Sequence, residues 1–312
     1  MAPLRILCAA LLAAFGAAVQ AGPLAYVPNE KSATLSVIDT ATDARQADIP
    51  AGQRPRGIAG GGSRVYVTDG KTGSLLIIDT ATGKLVTSVP VGASPEGVSL
   101  SADGKLLAVA VEDDNSVVLL DAASGRELAR IAVHGKNPEH AVFSPDGRLL
   151  YVSAEEAEQV DVIDVAARRQ SASIPVGKRP RGIGFLPDGT RAYVASELAG
   201  KVYAIDVAAG RVVAEIAAGQ FPNGIAVHPD GKRVFVSNGR DGSVMAIDVA
   251  SNRVLASIPV GKRPWNMALT PDGAKLYVAN GRSGSVSVID TAALQKLADI
   301  EVGELPWGVT IR

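Results

Sequence analysis

The chain has 312 residues, with 31 basic and 32 acidic side chains, a formal charge of −1 and only 4% aromatic residues. Nucleic-acid-binding proteins usually carry a basic surface with stacking aromatics, so this balance excludes a general nucleic-acid binder. The single cysteine, Cys8, excludes a fold held together by internal disulfides.

The first 21 residues have the pattern of a secretory signal peptide. Met1–Arg5 supplies one positive charge, Ile6–Val19 is a run of apolar and small residues, and Val19-Gln20-Ala21 fits a cleavage site. The run is too short for a membrane span, and no second apolar segment suggests one. We therefore predict a cleaved signal peptide over residues 1–21 and a monomeric protein, periplasmic or secreted, over residues 22–312.

The remainder consists of near-copies of one segment, repeated at intervals of roughly 42 residues. A loop proline recurs at Pro55, Pro95, Pro138, Pro180, Pro222, Pro264 and Pro306. An aspartate recurs at Asp39, Asp79, Asp121, Asp164, Asp206, Asp248 and Asp290. A period of this length with strand-like content predicts radial or stacked repetition of one structural unit.

Each copy contains four short apolar runs rich in Val, Ile and Tyr, which favour strands over helices. In the last full copy the runs are Asn266–Leu269, Lys275–Ala279, Ser285–Ile289 and Leu297–Val302. Thr270-Pro271-Asp272-Gly273 between the first two is typical of a tight turn. Four antiparallel strands in each repeat predict the blade of a β-propeller.

The two ends of residues 22–312 predict how the ring closes. Ala25-Tyr26-Val27 matches the second strand of a repeat, and Trp307–Arg312 matches the first. The C-terminal strand should therefore complete the N-terminal blade, which removes exposed sheet edges. The predicted fold is an all-β, seven-bladed propeller with four antiparallel strands in each blade and 28 strands in total.

The phrases Tyr26-Val27-Pro28-Asn29, Phe235-Val236-Ser237-Asn238 and Tyr277-Val278-Ala279-Asn280 resemble the YVTN-type (WD40/YVTN-like) propeller repeats. The resemblance covers residues 24–312, and the length and layout are similar to exported propellers associated with PQQ-dependent alcohol catabolism. It implies a periplasmic accessory role in quinoprotein alcohol oxidation.

Several copies depart from the pattern. Gly60-Gly61-Gly62-Ser63 replaces the usual turn in a copy that is two residues shorter, and an extra residue falls within His134–Asn137. His140 stands where most copies have glycine. Repeats lose regularity where function or closure interferes, so this loop is a candidate functional position.

Loops that enter the first strand and leave the second should converge on the central opening. The residue after each loop proline then gives a ring of Arg56, Glu96, Glu139, Arg181, Asn223, Trp265 and Trp307, to which we add His140 as a candidate ligand- or partner-binding residue. Neighbouring loop and strand-end positions add Arg54, Asn137, Arg179, Arg263, Glu112, Glu155 and Glu197.

Two interpretations of this ring stay open. Paired indole faces beside guanidinium groups suit a planar anionic ligand, and PQQ is the cofactor considered. The alternative is a solvated rim in which the two tryptophans close the channel mouth.

A calcium site and a catalytic histidine are the other chemical possibilities. Glu96, Glu139, Asp69 and Asn223 could offer oxygen ligands, but we interpret the carboxylates among them as separate and exposed and expect no calcium or other metal site. His140 lacks a metal-ligand cluster or nucleophile beside it in sequence, so we interpret it as a structural or rim residue and assign no catalytic residue.

Two recurrent charged sets have simpler explanations. We predict that the aspartates from Asp39 to Asp290 cap turns, because one lies at the same place in every repeat. We interpret Lys178-Arg179 and Lys262-Arg263 as solvated loop charges rather than an anion site.

The sequence thus favours an exported, non-catalytic propeller that binds a periplasmic protein or a small anionic ligand. A quinoprotein dehydrogenase or a transport component would be the partner. The alternative is an enzyme: a lactonase-like hydrolase with a central metal, or the propeller subunit of a quinoprotein dehydrogenase. Many propellers share one scaffold and differ in function, so the fold alone does not choose between them.

Overall fold

The computed structural model describes residues 22–312, in which every regular element is a strand. The strands form seven antiparallel sheets of four strands each, arranged in a ring. The predicted all-β, seven-bladed propeller with 28 strands is therefore confirmed. The predicted signal peptide, residues 1–21, lies outside the described residues.

In chain order the strands are β1 (Leu24–Asn29), β2 (Thr34–Asp39), β3 (Ala44–Pro50), β4 (Pro55–Gly61), β5 (Arg64–Asp69), β6 (Ser74–Asp79), β7 (Lys84–Pro90), β8 (Pro95–Leu100), β9 (Leu106–Val111), β10 (Ser116–Asp121), β11 (Glu127–Ala132), β12 (Pro138–Phe143), β13 (Leu149–Ala154), β14 (Gln159–Asp164), β15 (Arg169–Pro175), β16 (Pro180–Phe185), β17 (Arg191–Ser196), β18 (Lys201–Asp206), β19 (Arg211–Ala217), β20 (Pro222–Val227), β21 (Arg233–Asn238), β22 (Ser243–Asp248), β23 (Val254–Pro259), β24 (Pro264–Leu269), β25 (Lys275–Asn280), β26 (Ser285–Asp290), β27 (Gln295–Glu301) and β28 (Thr310–Ile311). Blades 2 to 7 each take four consecutive strands, from β4–β7 to β24–β27, and blade 1 combines β1–β3 with β28. The first strands of neighbouring blades contact each other around the axis and are called inner strands; the fourth strands lie at the rim.

Blade 1 closes the ring as the sequence predicts. Strand β28 pairs antiparallel with β1, with Ala25 opposite Ile311 and Tyr26 opposite Thr310. The pairing continues beyond the short strand, because the Trp307 N–H donates to the Pro28 carbonyl at 2.9 Å. The inner edge of β1 is thus covered over most of its length.

The core lies between blades rather than within one sheet. Second and third strands are buried on both faces, as β5 shows, whereas rim strands such as β3 are mostly exposed. Tyr26 and Leu35 of blade 1 pack against Val65 and Leu76 of blade 2, and equivalent clusters join the other neighbours. Apolar burial at about 25 cal/mol per Å² makes these clusters the main stabilising contribution.

Tight turns follow the predicted chemistry. Gly273 has φ of +74°, and the Asp272 carboxylate accepts the Ala274 N–H at 3.0 Å. The recurrent aspartates cap the next hairpin in all seven blades; for example, Asp164 accepts the Ala167 N–H at 2.8 Å. Their interpretation as turn caps is confirmed.

The irregular copy in blade 2 accommodates its neighbours. A two-residue turn joins β4 to β5, with Gly62 at φ +56°. A Cβ on Gly60 would lie 2.8 Å from Nε of Arg312, the residue that follows the closing strand. Gly60 therefore leaves space for the residue that follows the closing strand.

Nowhere between residues 22 and 312 is there a helix with the length and apolar character that a membrane crossing requires.

Candidate functional site

The residues that follow the seven loop prolines surround one cavity of about 280 Å³ at the top of the central channel. We call this cavity the mouth, and the face of the ring on which it opens the top face. All of Arg56, Glu96, Glu139, Arg181, Asn223, Trp265 and Trp307 line it. The structure thus brings together every predicted ring residue except His140.

Backbone geometry at the loop proline places these side chains. The residue before the proline is left-handed in most blades, as at Arg179 (φ +59°) and Arg263 (φ +54°). After the proline the inner strand is irregular, and glycine usually follows the ring residue. A Cβ on Gly224 would lie 2.5 Å from the Trp265 carbonyl oxygen, so glycine permits the close approach of neighbouring inner strands.

Arg181 is the centre of the charged half of the mouth. Its guanidinium contacts Glu139 at 2.6 Å, Glu155 at 3.1 Å and Glu197 at 3.0 Å, and its side chain is 13% exposed. Although burial opposes protonation, the three carboxylates raise the pKa of Arg181. The group is a fixed positive charge that joins two blades.

The remaining mouth arginines are also paired. Arg56 contacts Glu96 and, at 3.3 Å, Glu30, while Arg54 contacts Glu30 at 2.8 Å. Arg179 contacts Glu155, and Arg263 contacts Glu197 at 2.6 Å. Every arginine that lines the mouth therefore has a carboxylate partner within the protein.

Glu112 is the mouth carboxylate whose negative charge is least compensated by neighbouring cations. It has no salt-bridge partner among residues 22–312, and its Oε2 lies 3.1 Å from the Ser94 hydroxyl. Its oxygen lies within 4.8 Å of those of Glu139 and Glu155. Burial, and next the Glu139 carboxylate, raise the pKa of Glu112, so its proton affinity is higher than that of a solvated glutamate.

The other half of the mouth, in blades 6, 7 and 1, has uncharged ring residues. It contains the half-buried Trp265, the buried Trp307, and the amides of Asn223 and Asn266. Trp265 packs against the backbone of its own blade at Gly281, where an added Cβ would lie 2.5 Å from the indole ring. The indole of Trp265 is the aromatic surface that remains accessible at the mouth.

His140 lies below the mouth rather than on its rim. It lines a second cavity of about 220 Å³ with Gly182, Ile225 and Met267, and its ring centroid lies 5.6 Å from that of Trp307. Its Nε2 is buried without a hydrogen-bond partner. Burial lowers the pKa of His140, so the imidazole is neutral at pH 7.

The residues weighed for calcium do not form one group. Asp69 is fully buried below the loop that precedes Pro55, where its carboxylate accepts the backbone N–H of Gln53 at 2.9 Å and that of Arg54 at 3.0 Å. The expectation that the carboxylates are exposed is therefore wrong for all three of them. Asp69 is 0% exposed, and Glu96 and Glu139 are 2% and 7% exposed and paired with arginine, because the converging blades shield the mouth.

The interpretation of the paired basic loops as solvated charges is half correct. Lys178 and Lys262 are exposed, but Arg179 and Arg263 turn inward to Glu155 and Glu197. Three mouth residues were not predicted from the sequence although their positions are equivalent to predicted ones. Ser94 precedes its loop proline as Arg54 does. Glu30 corresponds to Glu112, and Asn266, like His140, replaces the glycine after the ring residue.

Sequence profiles of two propeller families match parts of the chain. The family described as lactonase, 7-bladed β-propeller, matches residues 165–305, and the family described as YNCE-like β-propeller matches residues 58–231. No protein of curated function matches the chain in sequence.

Two solved structures are similar in fold. A chain of Kuenenia stuttgartiensis hydrazine synthase is 23% identical with a TM-score of 0.75, over 83% of this chain and 95% of that chain. A functionally unknown protein from Desulfotomaculum acetoxidans is 18% identical with a TM-score of 0.80, over 92% of this chain and 98% of that chain. At such identities these likenesses establish the fold alone.

The predicted membership of a β-propeller repeat family is therefore confirmed by sequence and by structure. The YNCE-like profile extends over more than half of the chain, from blade 2 into blade 6. The chain belongs to the YNCE-like β-propeller family.

Proposed function

We propose that this protein is an exported, non-catalytic binding protein that docks a partner protein on its top face, with the mouth at the centre of the contact. The observation that carries the proposal is that every mouth arginine already contacts a carboxylate. A free anion such as PQQ would have to displace a buried carboxylate from Arg181 or Arg56, which costs desolvation without a new partner.

A protein surface can use the mouth without breaking these pairs. The ion pairs hold the charged rim in one arrangement, and the accessible indole of Trp265 lies beside it. Rigid aromatic side chains next to fixed charges are the usual anchors of protein interfaces. The mouth is therefore better suited to docking than to capture of a small anion.

The compartment and the partner class rest on the sequence. The pattern of residues 1–21 supports export to the periplasm or out of the cell. The resemblance to propellers of PQQ-dependent alcohol catabolism supports a quinoprotein dehydrogenase, or a transport component of the same process, as the partner. In that role the redox cofactor would belong to the partner and not to this chain.

The test measures binding of residues 22–312 to a purified PQQ-dependent alcohol dehydrogenase by biolayer interferometry. Trp265→Ala should weaken binding by at least about 10-fold, the usual effect of removing an interface tryptophan. Arg211→Glu, on the exposed rim of blade 5, is the control and should bind like the wild type. Trp307 is unsuitable as the probe, because it packs within the closing segment.

A parallel titration distinguishes a cofactor carrier. If PQQ alone saturably quenches tryptophan fluorescence while the dehydrogenase does not bind, the protein handles the cofactor and the docking proposal is wrong. If the assembled complex oxidises alcohols and neither component does so alone, the chain is a dehydrogenase subunit instead.

A metal-dependent hydrolase is the second candidate, because Glu112, Glu139 and Glu155 place carboxylate oxygens within 4.8 Å of one another. The lactonase profile matches the adjoining part of the chain. The arrangement does not fit a divalent ion, since the Arg181 guanidinium already supplies the positive charge to Glu139 and Glu155. A stoichiometric metal in purified protein, together with lactone hydrolysis lost in Glu139→Gln, would favour this candidate over docking.

A further inference from the structure

Charge is unevenly distributed around the top face. One position in the loop between the second and third strands occurs in every blade, and its occupants in blades 1 to 7 are Lys31, Lys71, Asp113, Glu156, Leu198, Arg240 and Arg282. Arginine thus occupies this position in blades 6 and 7, and acids occupy it in blades 3 and 4. The top face has a basic sector and an acidic sector.

The basic sector contains a groove of about 700 Å³ outside the mouth. We call it the basic groove and define it by Phe221, Arg240, Lys262, Arg263 and Arg282. Arg240, Lys262 and Arg282 are exposed, and within residues 22–312 none of them forms a salt bridge. The single carboxylate that lines the groove, Asp241, accepts the backbone N–H of Gln220 at 2.7 Å. The groove therefore has a net positive charge.

Phe221 orders two of these cations. The guanidinium carbons of Arg240 and Arg263 each lie 5.4 Å from the centre of its ring. Phe221 itself is left-handed, with φ of +58°, a conformation that bulky residues seldom adopt. Arg263 also contacts Glu197, which fixes its side chain from the mouth side. Two guanidinium groups are thus held beside each other, and Arg240 is left free to pair with an external anion.

We infer that the basic groove binds an acidic segment of the partner protein, by pairing glutamate or aspartate side chains with Arg240, Lys262 and Arg282. The inference rests on the proposed docking function and adds the chemistry of the contact. Arginine forks bind carboxylates through two parallel hydrogen bonds, and an aromatic surface accommodates the aliphatic part of a peptide.

The acidic sector favours a short acidic peptide over a nucleic acid or an anionic membrane. Asp113, Asp114, Glu156 and Glu158 are exposed in blades 3 and 4 on the same face. A polyanion or bilayer that covered the whole face would meet this sector as well, and like charges would repel it. A short acidic segment can occupy the groove alone, and a partner with basic groups beside that segment would match both sectors.

The experiment measures fluorescence anisotropy of a labelled octaglutamate peptide with residues 22–312 at low ionic strength. The wild type should bind, and Arg240→Glu with Arg282→Glu should weaken binding by at least about 10-fold, with an effect that added salt reduces. Arg211→Glu with Arg253→Glu makes the same change in net charge at exposed sites outside the groove and should leave binding unchanged.

Four results would overturn the inference. The first is no peptide binding by the wild type, and the second is an equal loss in the groove and control variants, which would indicate overall charge alone. The third is tighter binding of a single-stranded oligodeoxynucleotide or phosphatidylglycerol vesicles through the same arginines. The last is dehydrogenase binding that requires Trp265 but is unchanged in Arg240→Glu with Arg282→Glu. This result would refute the inference and leave the docking function intact.

Discussion

The two halves of the mouth are built on the same backbone but are held together by different forces. In blades 2 to 5 the ring residues are charged, and Arg181 joins carboxylates from neighbouring blades. In blades 6, 7 and 1 they are Asn223, Trp265 and Trp307, which are held by packing and by the closing strand. A repeat scaffold can therefore change the chemistry of a site by one residue in each blade without changing the fold.

Removal of Trp307–Arg312 should have the largest effect, because it takes away the inner strand on which the uncharged half depends. Trp307, Val309 and Ile311 are each at most 9% exposed, and the loss of their burial should cost roughly 5 kcal/mol or more. Thermal unfolding followed by circular dichroism should show a much lower melting temperature. Arg312→Ala is the matched control and should melt nearly normally; an unaltered truncated protein would contradict the role of closure.

Arg181→Met tests the charged half. It leaves Glu139, Glu155 and Glu197 without their shared cation, and loss of one partner of a buried ion pair costs about 3–5 kcal/mol. Trp265→Met in the uncharged half should cost less than half as much in urea unfolding. Equal losses of stability in the two variants would show that the two halves are not held together by different forces.

The loss in Arg181→Met should also depend on pH. Burial already raises the pKa of Glu155, and Arg181 opposes this rise, so the substitution raises it further. A carboxyl whose folded pKa exceeds its unfolded value favours the folded state at low pH and loses that contribution as the pH rises. The free energy of unfolding of the variant should therefore be closer to that of the wild type at pH 4 than at pH 7.

Tyr277→Phe should have a smaller effect, at the joint between blades 7 and 1. The Tyr277 hydroxyl donates to Asp43 and lies 3.3 Å from the Thr40 carbonyl. Loss of this inter-blade hydrogen bond should cost about 1 to 2 kcal/mol in urea unfolding. Tyr151→Phe is the control in the charged half and should change stability little, since no hydrogen bond to its hydroxyl links blades 4 and 5 within residues 22–312.

Glu112→Gln should have the smallest effect and the opposite sign. The raised pKa of Glu112 means that ionisation opposes folding as the pH rises above 4.5, the value of an ordinary glutamate. The substitution should therefore stabilise the protein at pH 7, by less than about 1 kcal/mol for a part-exposed group. Differential scanning calorimetry at pH 4 and pH 7 should show the gain only at the higher pH.

Most of the fold and the membership of the ring could be predicted from sequence, because both depend on position within the repeat. Turn glycines, capping aspartates and the loop prolines are local signals, and each recurs in register. The residue after Pro180 had to face the axis once the residues after Pro138 and Pro222 did.

The ion pairing and the burial of the ring residues could not be predicted in the same way. The contact of Arg263 with Glu197 joins residues in different blades, and only side-chain geometry shows that it exists. The two tryptophans occupy equivalent positions, yet Trp307 is 9% exposed beside His140 and Trp265 is half-buried against Gly281. Such differences arise from what the neighbouring blades place opposite each residue.

The hydrogen bonds between Leu24 and Arg312 bring the two extremes of the propeller into contact. A short linker could therefore connect residues 24 and 312, and a new pair of termini could be opened in a loop between other blades. Each blade would then be formed from four consecutive strands, and none would depend on a distant segment. A circular permutant of this design should keep the mouth residues at the same positions in the fold while the order of the blades along the chain changes.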